Sequence, residues 1–137
     1  IVPATDGAQP YIRVGTAGPS YKSGASDYSW TGVGRGTGTN VDTSAAQIAI
    51  AGGTGVGAAA GESFAFEVTI YSPANSSLTT ILDFQTSWLN TSGVTSISFV
   101  GSAAYLATTA VTSVQLLMSS GNVTSGELKL YGFQKST

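Results

Sequence analysis

The chain reads as an all-β protein, an antiparallel, jelly-roll-like β-sandwich of about eight or nine short strands, and three observations predict it. Over residues 64–71, Phe64, Phe66, Val68 and Ile70 alternate with Ala65, Glu67, Thr69 and Tyr71, the period of a strand with one buried face. The same period returns late in the chain. Val114, Leu116 and Met118 interleave there with Ser113, Gln115 and Ser119, and Leu128 and Leu130 with Glu127, Lys129 and Tyr131. Between such runs, clusters of Gly, Pro, Asn and Ser supply turn chemistry at short intervals.

Taken in order, residues 11–14 form a short strand after the Pro3 and Asp6-Gly7 turn region, and residues 27–30 another after a Gly/Ser-rich connection. Residues 32–40 read as a loop, because glycine occupies every second position from Gly32 to Gly38. Residues 47–50 make a third strand. Residues 64–71 are the clearest strand of all, stopped by Ser72-Pro73-Ala-Asn75, and their apolar face should sit at the centre of the core. Residues 78–85 follow, handing over through Thr86-Ser87-Trp88. Residues 94–100 put Ile97 and Phe99 on one side and Ser96 and Ser98 on the other, with Gly101-Ser102 separating them from Tyr105-Leu106. Two amphipathic strands, joined by the loop Ser119–Gly126, close the chain.

With 137 residues the sequence is long enough for one domain, read here as spanning 1–137, with a core of its own. Charged residues are only 9%, five basic against seven acidic, so there is no electrostatic footprint for nucleic acid or an anionic membrane. Cysteine and histidine are absent. That removes disulfides, thiolate nucleophiles, sulfur-ligated metal centres, Ser-His-Asp triads and the HExxH zinc site. Serine and threonine supply 37 residues, enough to cover an exterior with hydroxyls and little net field. No run is apolar enough to span a membrane; residues 45–61 come nearest and are glycine-interrupted.

Several motifs bear on chemistry. Gly53-Thr-Gly-Val-Gly-Ala58 fits a dinucleotide turn, but such a site needs a helix next, and a period-2 run follows instead. Gly61-Glu62-Ser63 has an acid where a phosphate loop requires lysine. Two facing carboxylates hydrolyse glycosides without histidine, yet Asp6, Asp27, Asp42, Glu62, Glu67, Asp83 and Glu127 are scattered singly and read as turn acceptors or solvent-facing strand residues. Asp6, Asp27 or Asp42 could meet calcium together with loop carbonyls, but the D-x-D-x-D-G run of a dedicated calcium loop is missing. No catalytic residue, metal site or cofactor is therefore expected. Asn75, Asn90 and Asn122 each open an N-x-S/T triplet and mark surface turns. Tyr28 and Trp30 share one strand face, with Tyr21 before them and Arg35 after. Such aromatics stack on pyranose rings in sugar-binding sandwiches, which makes Tyr28, Trp30 and Arg35 the candidate ligand residues. The competing assignment puts Trp30 and Trp88 in the core as plugs between the sheets; Tyr105 and Tyr131 are equally two-sided.

Three segments also carry a resemblance. Ile1-Val-Pro-Ala-Thr-Asp-Gly7, Ser23-Gly-Ala-Ser-Asp-Tyr-Ser-Trp30 and the closing stretch from Ala103 to Phe133 resemble a family of tailed-bacteriophage virion structural proteins, labelled tail fibre or minor structural protein. The likeness covers the first thirty residues and the last thirty or so. Gly15-Thr-Ala-Gly-Pro-Ser-Tyr21 departs from it, standing where the family has an Asp-Gly-Gly turn. The family also has a strand upstream of the position of Ile1, so the chain is expected to lack an upstream segment.

The resemblance implies a non-enzymatic component on the exterior of a virion: a tail-fibre or appendage module for host attachment, working through repeated weak contacts to a host-surface glycan or protein. It implies a homo-oligomer, a trimer by analogy with phage fibres, in contact with other virion proteins. Val111 and Leu117, outside the main alternation, suit subunit packing. The rival expectations are a capsid decoration or head-fibre protein that clamps neighbouring subunits, and a carbohydrate-binding sandwich of a secreted protein. A glycosidase would need two carboxylates about 5–10 Å apart in one cleft.

Overall fold

Short alternating runs broken by Gly, Pro and Asn leave this chain little choice but sheet, and the structure, a computed structural model describing residues 1–18, 20–35 and 37–133, is built from strands without helix among them. In chain order these are β1 (Val2–Pro3), β2 (Pro10–Ala17), β3 (Ser20–Tyr21), β4 (Tyr28–Arg35), β5 (Gly38–Ala45), β6 (Ile48–Ala49), β7 (Phe64–Tyr71), β8 (Thr80–Leu89), β9 (Ser96–Tyr105), β10 (Ser113–Met118) and β11 (Val123–Ser125). The described residues thus contain eleven strands where eight or nine were expected; the unexpected ones are the eight-residue β5 and the two- and three-residue pieces β1, β3 and β11.

All pairings are antiparallel. A five-stranded sheet runs β5-β4-β9-β8-β7; a four-stranded sheet runs β10-β2-β3 with β6 also on β2; β1 and β11 form a ribbon. The antiparallel sandwich is therefore present. Between the layers, Leu82, Phe84 and Trp88 of β8 and Ile97, Phe99 and Tyr105 of β9 meet Ile12 and Val14 of β2 and Ile48 and Ile50 in one buried cluster. Phe84 and Phe99 stack with centroids 5.8 Å apart, and Phe64 meets Trp88 at 5.9 Å. Thr86 ties the layers together, its hydroxyl donating to the Ile50 carbonyl at 2.9 Å.

Two expectations are corrected. Residues 32–40 are not a loop, although Gly36 lies outside the described residues: β4 continues to Arg35 and β5 begins at Gly38. Likewise Gly101-Ser102 does not interrupt β9, which pairs with β4 from Tyr28↔Tyr105 to Arg35↔Ser98. The reason is shared. Gly32 and Gly101 lie opposite each other in that register, and Phe99 and Phe84 lie across them; a Cβ on Gly32 would enter the Phe99 ring, and one on Gly101 would meet Phe84. Glycine serves here as floor space for aromatic rings within a strand.

Residues 127–131 are also not a strand of this fold. Beyond Ser125, residues 126–133 pair with nothing among the described residues and are exposed throughout. Only Val123–Ser125 finds a partner, in β1. Other boundaries move both ways: β6 shrinks to Ile48–Ala49 and β8 and β9 start two residues later than expected, while β8 runs on through Trp88, which opposes Phe64 and Ile97 on the inner face.

Candidate functional site

The strand parity of β4 sends its candidate residues to different places. Tyr28 and Trp30 do share a face, but it is the inner one, while Arg35 sits exposed at the strand end opposite Ser98. The Tyr28 side chain is fully buried; its hydroxyl accepts from the Val14 N–H at 2.8 Å and donates to the Lys22 carbonyl at 3.0 Å. Burial pushes the phenol up to about 12, helped by the Asp27 carboxylate and Tyr105, against the Val14 N–H that favours the anion. Trp30 is half-buried against the core, opposite Ala103. The three residues thus form no common sugar platform. Period 2 reveals that Tyr28 and Trp30 point the same way, but not which way.

The other aromatics divide similarly. Trp88 is a core plug whose Nε1 donates to the Gly55 carbonyl at 3.2 Å, and Tyr105 is buried, its phenol raised first by desolvation and then by Asp27. Tyr131 stands in solvent.

The carboxylates are occupied with local geometry. Asp6 accepts from the Ala58 N–H at 3.0 Å, Asp27 from Gly24 at 2.6 Å, Asp42 from Ser44 at 2.9 Å and Glu62 from Ala59 at 2.7 Å. Glu67 and Asp83 lie on the exposed face of the five-stranded sheet, where Asp83 raises the pKa of Tyr71 by accepting a hydrogen bond from its neutral hydroxyl and by its negative charge. Glu127 pairs with Lys129 at 3.3 Å. No group of three or more metal-ligating side chains occurs among the described residues. Gly53–Ala58 is a packed connection: Val56 is fully buried, its N–H donating to the Ala8 carbonyl at 3.1 Å and its carbonyl accepting from the Gly7 N–H at 3.0 Å. Asn75, Asn90 and Asn122 lie in the β7–β8, β8–β9 and β10–β11 connections, as their triplets suggested.

The surface that remains open is the outer face of β5, β4 and β9. Val33, Val41 and Val100 are 58, 65 and 51% exposed there, with Val33 opposite both Val100 and Thr39, and Thr31 opposite both Ser102 and Val41. The face carries a shallow depression of about 360 Å³ lined by Thr31, Val33, Thr39, Val100 and Ser102, with the backbone of Gly32 and Gly101 at its floor. No titratable group lines it. It can press apolar and hydroxyl atoms onto an uncharged surface, and it has no acid or base with which to do chemistry. Sequence reading missed it because the alternation of Thr31 and Val33 with glycine was taken for loop.

Comparison with protein-family models, with curated proteins and with solved structures returned no match. No described helix is long and apolar enough to cross a membrane.

Proposed function

We propose that the protein is a non-enzymatic structural component of a bacteriophage virion, an appendage module on the outside of the particle that contributes to host attachment. The observation that carries this reading is the depression on the outer face of β5, β4 and β9, where valines and hydroxyls stand over glycine backbone without a titratable group in its lining. The motif likeness at both ends of the chain supplies the virion context. A shallow contact of this kind binds weakly, on the order of 1 mM or about −4 kcal/mol. Repetition over several copies multiplies such a contact by about 10²–10⁴ through effective concentration. Host-surface glycan fits the chemistry, since pyranoses offer apolar ring faces and hydroxyls together.

The test is competition. Purified protein should reduce adsorption of the parent particle to its host, and the Val33→Glu/Val100→Glu double variant, altered only at exposed positions, should lose that effect while keeping its melting temperature. Equal competition by both proteins, or none by either, would overturn the reading. Density of the intact particle separates attachment from clamping: an attachment face is free, whereas a clamp has this face covered by other virion chains.

A further inference from the structure

The chain carries both halves of a strand pairing that it does not make with itself. One half is the segment Gly126–Phe133. Its Leu128, Leu130, Tyr131 and Phe133 are 66, 89, 73 and 95% exposed, and the ion pair between Glu127 and Lys129, two positions apart, shows a backbone extended enough to put alternate side chains on one side. That arrangement leaves Leu128 and Leu130 together on the other side.

The other half is the free edge of β10. One side of β10 is paired with β2 without a register break from Ser113↔Gly15 to Met118↔Pro10; the other has no partner among the described residues. Its six residues, Ser113–Met118, contain no charge, proline or glycine. Native edges are normally blunted by such residues, and this one has none of them. β5 and β7, which end the other sheet, carry Asp42 and Glu67. Along β10 runs an open groove of about 390 Å³ whose walls include Ile1, Val114, Leu116, Val123 and Leu128. Val114 is 38% exposed, on the strand face that Leu116 and Met118 turn towards the core.

We propose that residues 127–133 of one copy add as a strand to the β10 edge of a second copy, laying Leu128 and Leu130 into that groove. Three observations select a second copy as the occupant. The chain's own segment borders the groove without filling it: Leu128 stands at its wall yet stays 66% exposed, and the residues beyond Gly126 pair with nothing among the described residues. Donor and acceptor match in length, at seven residues against six, and in period, and neither brings a net charge to the other because Glu127 and Lys129 neutralise each other. Finally, the exchange is self-complementary: each copy offers what each copy lacks, so it closes by symmetry without another protein. Main-chain hydrogen bonds supply the affinity of such strand addition, and the alternate side-chain pockets its register. The proposal is independent of the outer face of β5, β4 and β9.

The absence of cysteine makes the test clean. Full-length chains bearing Leu130→Cys alone and Val114→Cys alone should, when mixed and mildly oxidised, give a disulfide-linked heterodimer on a non-reducing gel, since Val114 is exposed on the groove side of β10. The unmodified chain should sediment at twice the monomer mass or more, and Leu128→Lys/Leu130→Lys should bring it to the monomer with an unchanged far-ultraviolet spectrum, since neither residue belongs to the core. A monomeric unmodified chain, an oligomer untouched by the double lysine variant, or failure of the mixed cysteine variants to cross-link would each overturn the proposal. Cross-linking confined within single chains of the Leu130→Cys/Val114→Cys double variant would overturn it too, by showing that the segment serves its own edge.

Discussion

Replacing Tyr28 by Phe should destabilise the protein by about 2 kcal/mol near pH 8, and by progressively less as the solution becomes alkaline. The ring keeps its place beside Tyr105, at 5.9 Å between centroids, so packing is preserved. What goes is the hydroxyl that pairs the buried Val14 N–H and the Lys22 carbonyl. A buried donor left without a partner costs about 1–3 kcal/mol. At a urea slope of about 1.5 kcal/mol/M, a cost of about 2 kcal/mol lowers the unfolding midpoint by about 1.3 M. The pH dependence follows from the phenol's shift from 10.0 to about 12. The folded state favours the neutral phenol, so this stabilisation is complete below the unfolded pKa and is lost as pH rises through the folded one. Between the two values the unfolded chain has released a proton that the folded chain still holds, and stability falls by about 1.4 kcal/mol per pH unit. The gap between the two proteins should therefore narrow by about 1.4 kcal/mol by about pH 11. Urea titrations of both proteins across this range decide the matter. A gap under about 0.5 kcal/mol near pH 8, or parallel curves up to about pH 11, would refute the assigned role.

The same substitution made twice in β8 should act with opposite signs. Thr86→Val strips the Ile50 carbonyl of its partner and should cost about 1–2 kcal/mol, whereas Thr80→Val removes a buried hydroxyl that has no partner and should be neutral or stabilise by up to about 1 kcal/mol. Denaturant unfolding of the pair measures the contrast. Gly32→Ala drives a Cβ into the fully buried Phe99 ring and should cost about 1–3 kcal/mol, while Gly132→Ala, with open space around it, should leave the melting curve unchanged. Trp88→Phe should lower stability by about 2 kcal/mol and weaken hydrogen-exchange protection at its strand partners Phe64 and Ile97, because it loses both core volume and the bond to Gly55.

Where one face of a strand is apolar and the other polar, the sequence announces its own structure. The bounds of β7 were legible residue for residue, and those of β10 nearly so, but β7 lies at a sheet edge with only Phe64 of its apolar face fully buried, not at the centre of the core. Glycine defeated the method at residues 32–40 and 101–102, since a residue without a side chain has no hydropathy to alternate, and its strand role rests on rings contributed by Phe84 and Phe99 from elsewhere. The opposite error arose at residues 127–131. Their alternation is as clean as that of β10, but periodicity reports only that a segment is suited to a sheet, not that the same molecule offers one. The candidate ligand residues failed for a third reason. Tyr28 and Trp30 are amphipathic enough to suit either face of a sandwich, and the choice was made by Val14 and Lys22, which lie far from any local pattern. The open depression needed three strands in register before Thr31, Val33, Thr39 and Val100 became neighbours.

The pairing of β2 with β10 has a temporal meaning. Gln9 and Ser119, which close the end of that ladder, are separated by 110 positions in the chain. At about 5–20 residues per second of translation, the early strand waits roughly 5–20 s on the ribosome for its mate. Ile12 and Val14 spend that interval without their final cover, while β7, β8 and β9, linked by successive hairpins, assemble as they emerge. Nascent chains should therefore acquire protease resistance in the β7–β9 meander first, and the amino-terminal strand should dock last.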